Sequence, residues 1–193
     1  GFTVPSGADE AVTWLVAGAL TGGNVSVGPI DPTEISAELA ELEASGLTIT
    51  RSDNQVAVSG RPTHPLRLTT GPPPEIGSDM QPIFGALATA IEGASHIIDR
   101  RFTERFQYLE ALRGFGVDCH THGNSATIVG ADGNHLRPAD VEGGDLRGTM
   151  AAILTALRVD GVSVIGGGQH LERGYLEPAQ RFNALGARVT RLL

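Results

Sequence analysis

The chain has 193 residues, 40% of them hydrophobic, which is ample for one large core. Its formal net charge of -8 excludes general affinity for nucleic acid, which rests on Lys and Arg meeting phosphates. No run is long and apolar enough for a membrane span or a signal peptide, and the lone Cys119 allows no internal disulfide, which fits a cytoplasmic location.

In chain order, residues 2–4 read as a strand and Ser6 as a helix N-cap. Asp9 and Glu10 follow in the first turn, where acidic side chains suit the helix dipole. Val12, Leu15, Val16, Ala19 and Leu20 make a helical stripe that Gly22 and Gly23 end. Val25 and Val27 mark a strand. Pro32 opens a second helix, with Ile35, Leu39 and Leu42 facing the core and Gly46 closing it. Strands over 47–50 and 56–58 flank Asp53-Asn54, a hairpin signal. A Pro-rich loop at 71–74 separates this set from the next. Helices over 79–91 and 104–113 follow, then a hairpin of 117–121 with 126–129. The last set has helices over 145–159 and 177–185 and a strand over 188–192.

One compound pattern therefore occurs three times: helix, glycine turn, β-branched strand, helix, glycine, strand. Gly23 and Gly46 lie as far apart as Gly93 and Gly116, and Gly161 and Gly186 nearly so. A period of roughly 70 residues is too long for a solenoid repeat. It suits three βαβαββ units, about 1–70, 71–140 and 141–193, in one α/β domain spanning 1–193. The helices are rich in Ala and Leu and each strand pair has one apolar face, which places helices inside and sheets outside. The hairpin expected after the strand over 188–192 is missing, so the chain reads as part of a larger polypeptide.

Chemistry-bearing residues cluster where loops become helices. Gly77-Ser78-Asp79 presents either a helix cap or a carboxylate at a loop tip, able to act as base or to accept a hydroxyl. Gly143-Gly144-Asp145-Leu146-Arg147-Gly148 opens the third unit. Its two glycines permit close backbone approach to a ligand. Arg147 sits in a first helical turn, where the dipole disfavours a cation, so an anionic partner is expected. Arg105 and Arg173 occupy the strand-to-helix loops of units two and three, at the same end of the domain. Three Arg residues there would make one anion site, because the guanidinium fork matches carboxylate and phosphate. Cys119 reads as a small buried apolar residue on a strand rather than a nucleophile. The histidines show no metal spacing, so no metal is expected. Neither a P-loop nor a dinucleotide glycine fingerprint is present, and no cofactor is expected.

Four blocks carry a family resemblance: Ser78-Asp79-Met80-Gln81, Glu104-Arg105-Phe106, Asp145-Leu146-Arg147 and His170-Leu171-Glu172-Arg173-Gly174-Tyr175. Their order and spacing resemble the UDP-N-acetylglucosamine 1-carboxyvinyltransferases over essentially the whole chain, with 5-enolpyruvylshikimate-3-phosphate synthase as a sister. The resemblance implies one domain, an inside-out α/β barrel, of a two-domain enolpyruvyl transferase that needs a complementary domain for activity. It implies addition of the 3-hydroxyl of UDP-N-acetylglucosamine to phosphoenolpyruvate with loss of phosphate, a step of peptidoglycan precursor synthesis. By the same resemblance Asp79 accepts or orients the hydroxyl proton and Asp145 sits beside the tetrahedral centre. Arg105 and Arg147 bind the phosphoenolpyruvate carboxylate, Arg173 binds its phosphate, and Phe102 lines the nucleotide side. Ser78, Glu172 and Gly148 depart from the family's usual Thr, Asp and Ala. Another nucleotide or shikimate 3-phosphate as acceptor stays open, as does a non-catalytic binding or assembly domain of the same fold.

Overall fold

In the computed structural model, residues 7–130 and 135–192 are described. The strand over 2–4 and the Ser6 cap lie outside them. Helix α1 (Ala8–Thr21) starts after an extended Gly7 and ends at Gly22, whose φ of 66° places it in the left-handed region. Residues 11–20 of α1 are all buried. A surface helix buries one stripe, so a helix buried all round belongs in a core. Helix α3 (Gln81–Ala88) is buried at every position, and α5 (Leu146–Ala156) at seven of eleven. These three helices pack against one another at the centre. Small residues let these helices pack closely on the elements around them: a Cβ at Gly18 would meet Val25 at 2.7 Å, and one at Gly85 would meet the Tyr108 ring at 2.5 Å. Leu15, Ile83, Phe84, Leu87, Met150 and Leu154 meet there with no accessible surface. Each contributes on the order of 1.5–3 kcal/mol by burial.

The sheets lie outside this helical centre. The first is β1 (Val25–Val27), β3 (Gln55–Ser59) and β2 (Thr48–Ser52), with β3 in the middle and all pairings antiparallel. The second has the order β4 (Arg67–Thr70), β5 (Gly93–Asp99), β7 (Ser125–Gly130), β6 (Asp118–His122). Strands β4 and β5 run parallel, and the other neighbours antiparallel. Alternation puts Leu68, Ile97, Cys119, Ala126 and Ile128 on the buried face. The third sheet pairs β8 (Asp140–Glu142) with β9 (Val164–Gly166) in parallel. The outer helices are α2 (Ser36–Ala44), α4 (Tyr108–Gly114) and α6 (Pro178–Ala184). Phe182 of α6 meets Trp14 of α1 edge to face, with ring centroids 4.7 Å apart. Helices inside and sheets outside is the arrangement expected from the repeat.

The repeat is visible in the backbone. Gly46, Gly116 and Gly186, each after the second helix of a unit, have φ of 97°, 93° and 95°. They lie seventy residues apart, and a side chain there would strain the turn into the following strand.

Several element boundaries differ from the sequence reading. The helix expected over 79–91 is a 3-10 turn, Ser78–Met80, followed by the shorter α3. The helix expected from residue 104 begins at Tyr108, because the 101–107 segment is held as a loop. Pro32–Ile35 is a 3-10 turn before α2, with the Asp31 carboxylate capping Thr33 N–H at 2.9 Å. Residues 188–192 form no strand. In the first two sheets, β3 and β7 lie between the unit's other strands, and the third sheet has no such strand among the described residues. Instead the Asn183 side chain pairs with the backbone of Val189 in both directions, each bond 2.8 Å.

Candidate active site

The turn before α3 turns Ser78 inward and Asp79 outward. Ser78 is buried and donates its hydroxyl to the Asp99 carboxylate at 3.1 Å. Neither Ser78 nor Asp79 caps the helix. Asp79 instead accepts a 2.6 Å hydrogen bond from Arg105 Nη1. That pair joins the loop before α3 to the loop before α4. Arg105 also lies over the ring of Phe102, 5.4 Å from its centroid, and Arg101 lies over the same ring at 5.2 Å. Phe102 is exposed and lines an open cleft with Arg101, Thr103, Glu104, Arg105 and Gln107.

The second half of the site is built on α5. Asp145 is the N-cap: its carboxylate accepts from Gly148 N–H at 2.7 Å, which commits one oxygen to structure. A Cβ at Gly143 would meet the Thr149 backbone at 2.3 Å, so this glycine permits the turn to pack on its own helix. Gly144, with φ of 80°, faces open space. Arg147 has the anionic partner that its position demanded. Its Nη2 donates to the Asp9 carboxylate, contributed by the first turn of α1, and its Nη1 donates to the Tyr175 hydroxyl at 2.8 Å. The Tyr175 hydroxyl is also 3.1 Å from Thr13 Oγ1. The Arg147 side chain is only 12% exposed. Burial works against its charge, but Tyr175, Asp9 and, further off, Asp79 outweigh that and hold its pKa above the ordinary guanidinium value. Burial likewise raises the Tyr175 phenol.

Arg173 ends a 3-10 turn, Gly168–Arg173, on the segment that carries Tyr175. It is exposed and has no ion pair or side-chain hydrogen bond among the described residues. The adjacent Gly174 packs on Leu146, where a Cβ would lie 2.8 Å from that side chain. The structure thus brings Asp79, Arg105 and Phe102 into contact, places Arg147 within electrostatic reach of Asp79, and sets Asp145 and Arg173 on the segments flanking Arg147.

Sequence reasoning missed three participants. Asp9 resembled an ordinary dipole partner at a helix start, and only its distance-spanning bond to Arg147 gives it another role. Arg101 carried no motif of its own. Asp99 is a strand-end residue with no accessible surface, and its four side-chain hydrogen bonds come from the turn and first residue of α3 and from the loop before α4. Cys119 is buried, and burial pushes its thiol up to about 11, opposite to a reactive thiolate. Among the described residues no His, Cys, Asp and Glu group could hold a metal, and no helix is long and apolar enough to cross a membrane.

Comparison with known proteins gives consistent relatives. A model of the family described as EPSP synthase (3-phosphoshikimate 1-carboxyvinyltransferase) matches residues 1–181. The chain is 37% identical over 191 residues to UDP-N-acetylglucosamine 1-carboxyvinyltransferase 2 of Prochlorococcus marinus, covering 98% of this chain and 44% of that protein. A UDP-N-acetylglucosamine 1-carboxyvinyltransferase of Campylobacter jejuni is 38% identical over 192 residues, covering 99% and 46%. Among solved structures, the enolpyruvyl transferase NikO from Streptomyces tendae superposes with a TM-score of 0.84 at 26% identity, over 96% of this chain and 44% of that one. EPSP synthase from Acinetobacter baumannii shares the fold, with a TM-score of 0.80 at 20% identity over 96% of this chain and 47% of that one. The chain spans less than half the length of each.

Proposed function

Because the chain belongs to the EPSP synthase (3-phosphoshikimate 1-carboxyvinyltransferase) family, we propose that it supplies one of two domains of an enolpyruvyl transferase. The reaction moves the enolpyruvyl group of phosphoenolpyruvate to the 3-hydroxyl of UDP-N-acetylglucosamine and releases phosphate. The observation that carries this reading is the contact between Asp79 and Arg105 beside an exposed Phe102, with Arg147 of the third unit within electrostatic reach of Asp79. A carboxylate and a cation held together at an open surface can take a hydroxyl proton and bind an anion at adjacent points.

In this scheme Asp79 keeps one oxygen on Arg105 and offers the other to the sugar hydroxyl. Its charge supports proton removal, and Arg105 keeps it oriented. Arg105 and Arg147 bind the phosphoenolpyruvate carboxylate. Arg147 already donates to Asp9, so the substrate carboxylate competes for a donor in use. Arg173, exposed and without a side-chain partner among the described residues, takes the phosphate. Asp145 has one carboxylate oxygen free of its capping bond and faces solvent beside the reacting carbon. Phe102 offers an aromatic face to the base of the nucleotide. The relatives named for UDP-N-acetylglucosamine favour a nucleotide sugar over shikimate 3-phosphate. The proposed reaction is a step of peptidoglycan precursor synthesis, and its proposed location is the cytoplasm.

One domain presents an open surface where ion contacts are screened by water. The expected behaviour is feeble phosphoenolpyruvate binding and no turnover by this chain alone. The test mixes it with the part of the Campylobacter jejuni relative that it does not span. Phosphate release from phosphoenolpyruvate plus UDP-N-acetylglucosamine should appear only in the mixture. Robust turnover by the chain alone would overturn the half-site reading. Absence of turnover in a mixture shown to associate would overturn the proposed reaction.

A further inference from the structure

Asp99, the last residue of β5, is buried behind the site and reaches the site segments through hydrogen bonds. Its carboxylate is fully buried and has no cation partner among the described residues. A buried charge is costly unless hydrogen bonds replace its hydration, and here four do so. Its Oδ1 accepts from Ser78 Oγ at 3.1 Å and from the backbone N–H groups of Arg101 and Phe102, both at 2.8 Å. Its Oδ2 accepts from Gln81 Nε2 at 2.8 Å. Two of the donors belong to the turn and helix start that carry Asp79. The other two belong to the loop that carries Phe102 and Arg105.

The anchor is itself fixed. The Asp99 backbone pairs with Thr70 in the parallel β4–β5 register. Its N–H donates to Asn124 O at 2.9 Å, and its carbonyl accepts from Asn124 Nδ2 at 3.1 Å, which ties it to the turn between β6 and β7. An ionised carboxylate offers only acceptors, so all four donors are satisfied at once.

We propose that Asp99 is a positioning residue: it locks the two loops together and thereby sets the Asp79–Arg105 pair against the Phe102 face. This rests on the enolpyruvyl transfer reading and deepens it. Asp99 acts through Asp79, Arg105 and Phe102 and does not meet the substrate. Releasing it lets the two loops separate, and a misplacement of about 1 Å at reacting groups costs on the order of 100-fold in rate.

The test uses the full chain with two readouts. The first, on the chain alone, is hydrogen exchange by NMR at the Arg105 guanidinium and at the amides of Arg101 and Phe102. The second is phosphate release in the two-domain mixture. Asp99→Ala should speed exchange at all three positions at least about tenfold and lower kcat about 100-fold. Asp99→Asn should stay within about threefold of the parent in both, because its amide oxygen keeps three donors and Gln81 can turn over to present Oε1, which has no partner. Ser95→Ala is the stability control: it removes a different buried hydroxyl, the acceptor for Leu66 N–H, and should move neither readout once thermal stability is matched. Should Asp99→Ala fail to fold, Gln81→Leu strips a single donor and should shift both readouts in the same direction by a smaller factor. The proposal is overturned if Asp99→Ala folds with both readouts within threefold of the parent. It is equally overturned if Ser95→Ala moves them as far, or if Gln81→Leu leaves them unchanged. A parent mixture that releases no phosphate would remove the proposed reaction, while the exchange at Arg105 would still decide the role of Asp99.

Discussion

The Asp9–Arg147 contact makes a sharp prediction, because it joins the first turn of α1 to the first turn of α5 and occupies a cation assigned to substrate. Removing one partner of a buried ion pair costs about 3–5 kcal/mol, whereas an exposed pair is worth under about 1 kcal/mol. Here the arginine side chain is 12% exposed and the aspartate 43%, so the pair lies between these limits. Asp9→Ala should therefore cost about 1–2 kcal/mol, with Tyr175 still holding one edge of the guanidinium. For a domain of this size that is a fall in Tm of about 3–6 °C. The same substitution leaves Arg147 with no hydrogen-bonded carboxylate among the described residues, so an added anion gains a site. At a phosphoenolpyruvate concentration ten times its dissociation constant, linkage returns about 1.4 kcal/mol, enough to recover most of the loss. The assay is thermal unfolding of both proteins across a phosphoenolpyruvate titration. The variant should start lower and rise by several degrees, while the parent moves little. Equal Tm values without ligand, or parallel responses to it, would show that Asp9 neither stabilises Arg147 nor competes for it.

Arg173→Ala should abolish phosphate release in the two-domain mixture while leaving Tm unchanged, since the side chain is exposed and makes no ion pair or side-chain hydrogen bond among the described residues. Tyr108→Phe should leave stability unchanged or raise it, because the buried hydroxyl has no hydrogen-bond partner among the described residues; a marked fall in the denaturation midpoint would reveal a partner. Gly85→Ala should cost about 1–3 kcal/mol, as the added Cβ would lie 2.5 Å from the Tyr108 ring in the packed centre. A neutral result in urea unfolding would show that the centre yields. Burial, with the Asp9 carboxylate adding to it, holds the Glu38 carboxyl above its usual range, so the fold favours its protonated form. That contribution is full below the unfolded-state pKa and is lost as pH rises through the folded one. Glu38→Gln should then raise Tm at pH 7 and leave it near the parent at pH 4; a larger gain at pH 4 would contradict the direction of the shift.

Local chemistry made much of this protein legible in sequence. Helical stripes, glycine turns and alternating strands depend on neighbours within a few residues, and they placed the three repeats and their inside-out layering. The positions of Arg105 and Arg173 in equivalent loops follow from the same periodicity. Helix starts were less legible: the segment before Tyr108 stays a loop because the Asp99 carboxylate takes the N–H groups of Arg101 and Phe102. The strand expected over 188–192 fails because a strand is made by its partner, and local propensity cannot supply one. Asp9 and Arg147 are 138 residues apart, and nothing near either one names the other. Only the packing of α1 against α5 at the centre decides that an acidic residue suited to a helix dipole instead holds the guanidinium of the third repeat.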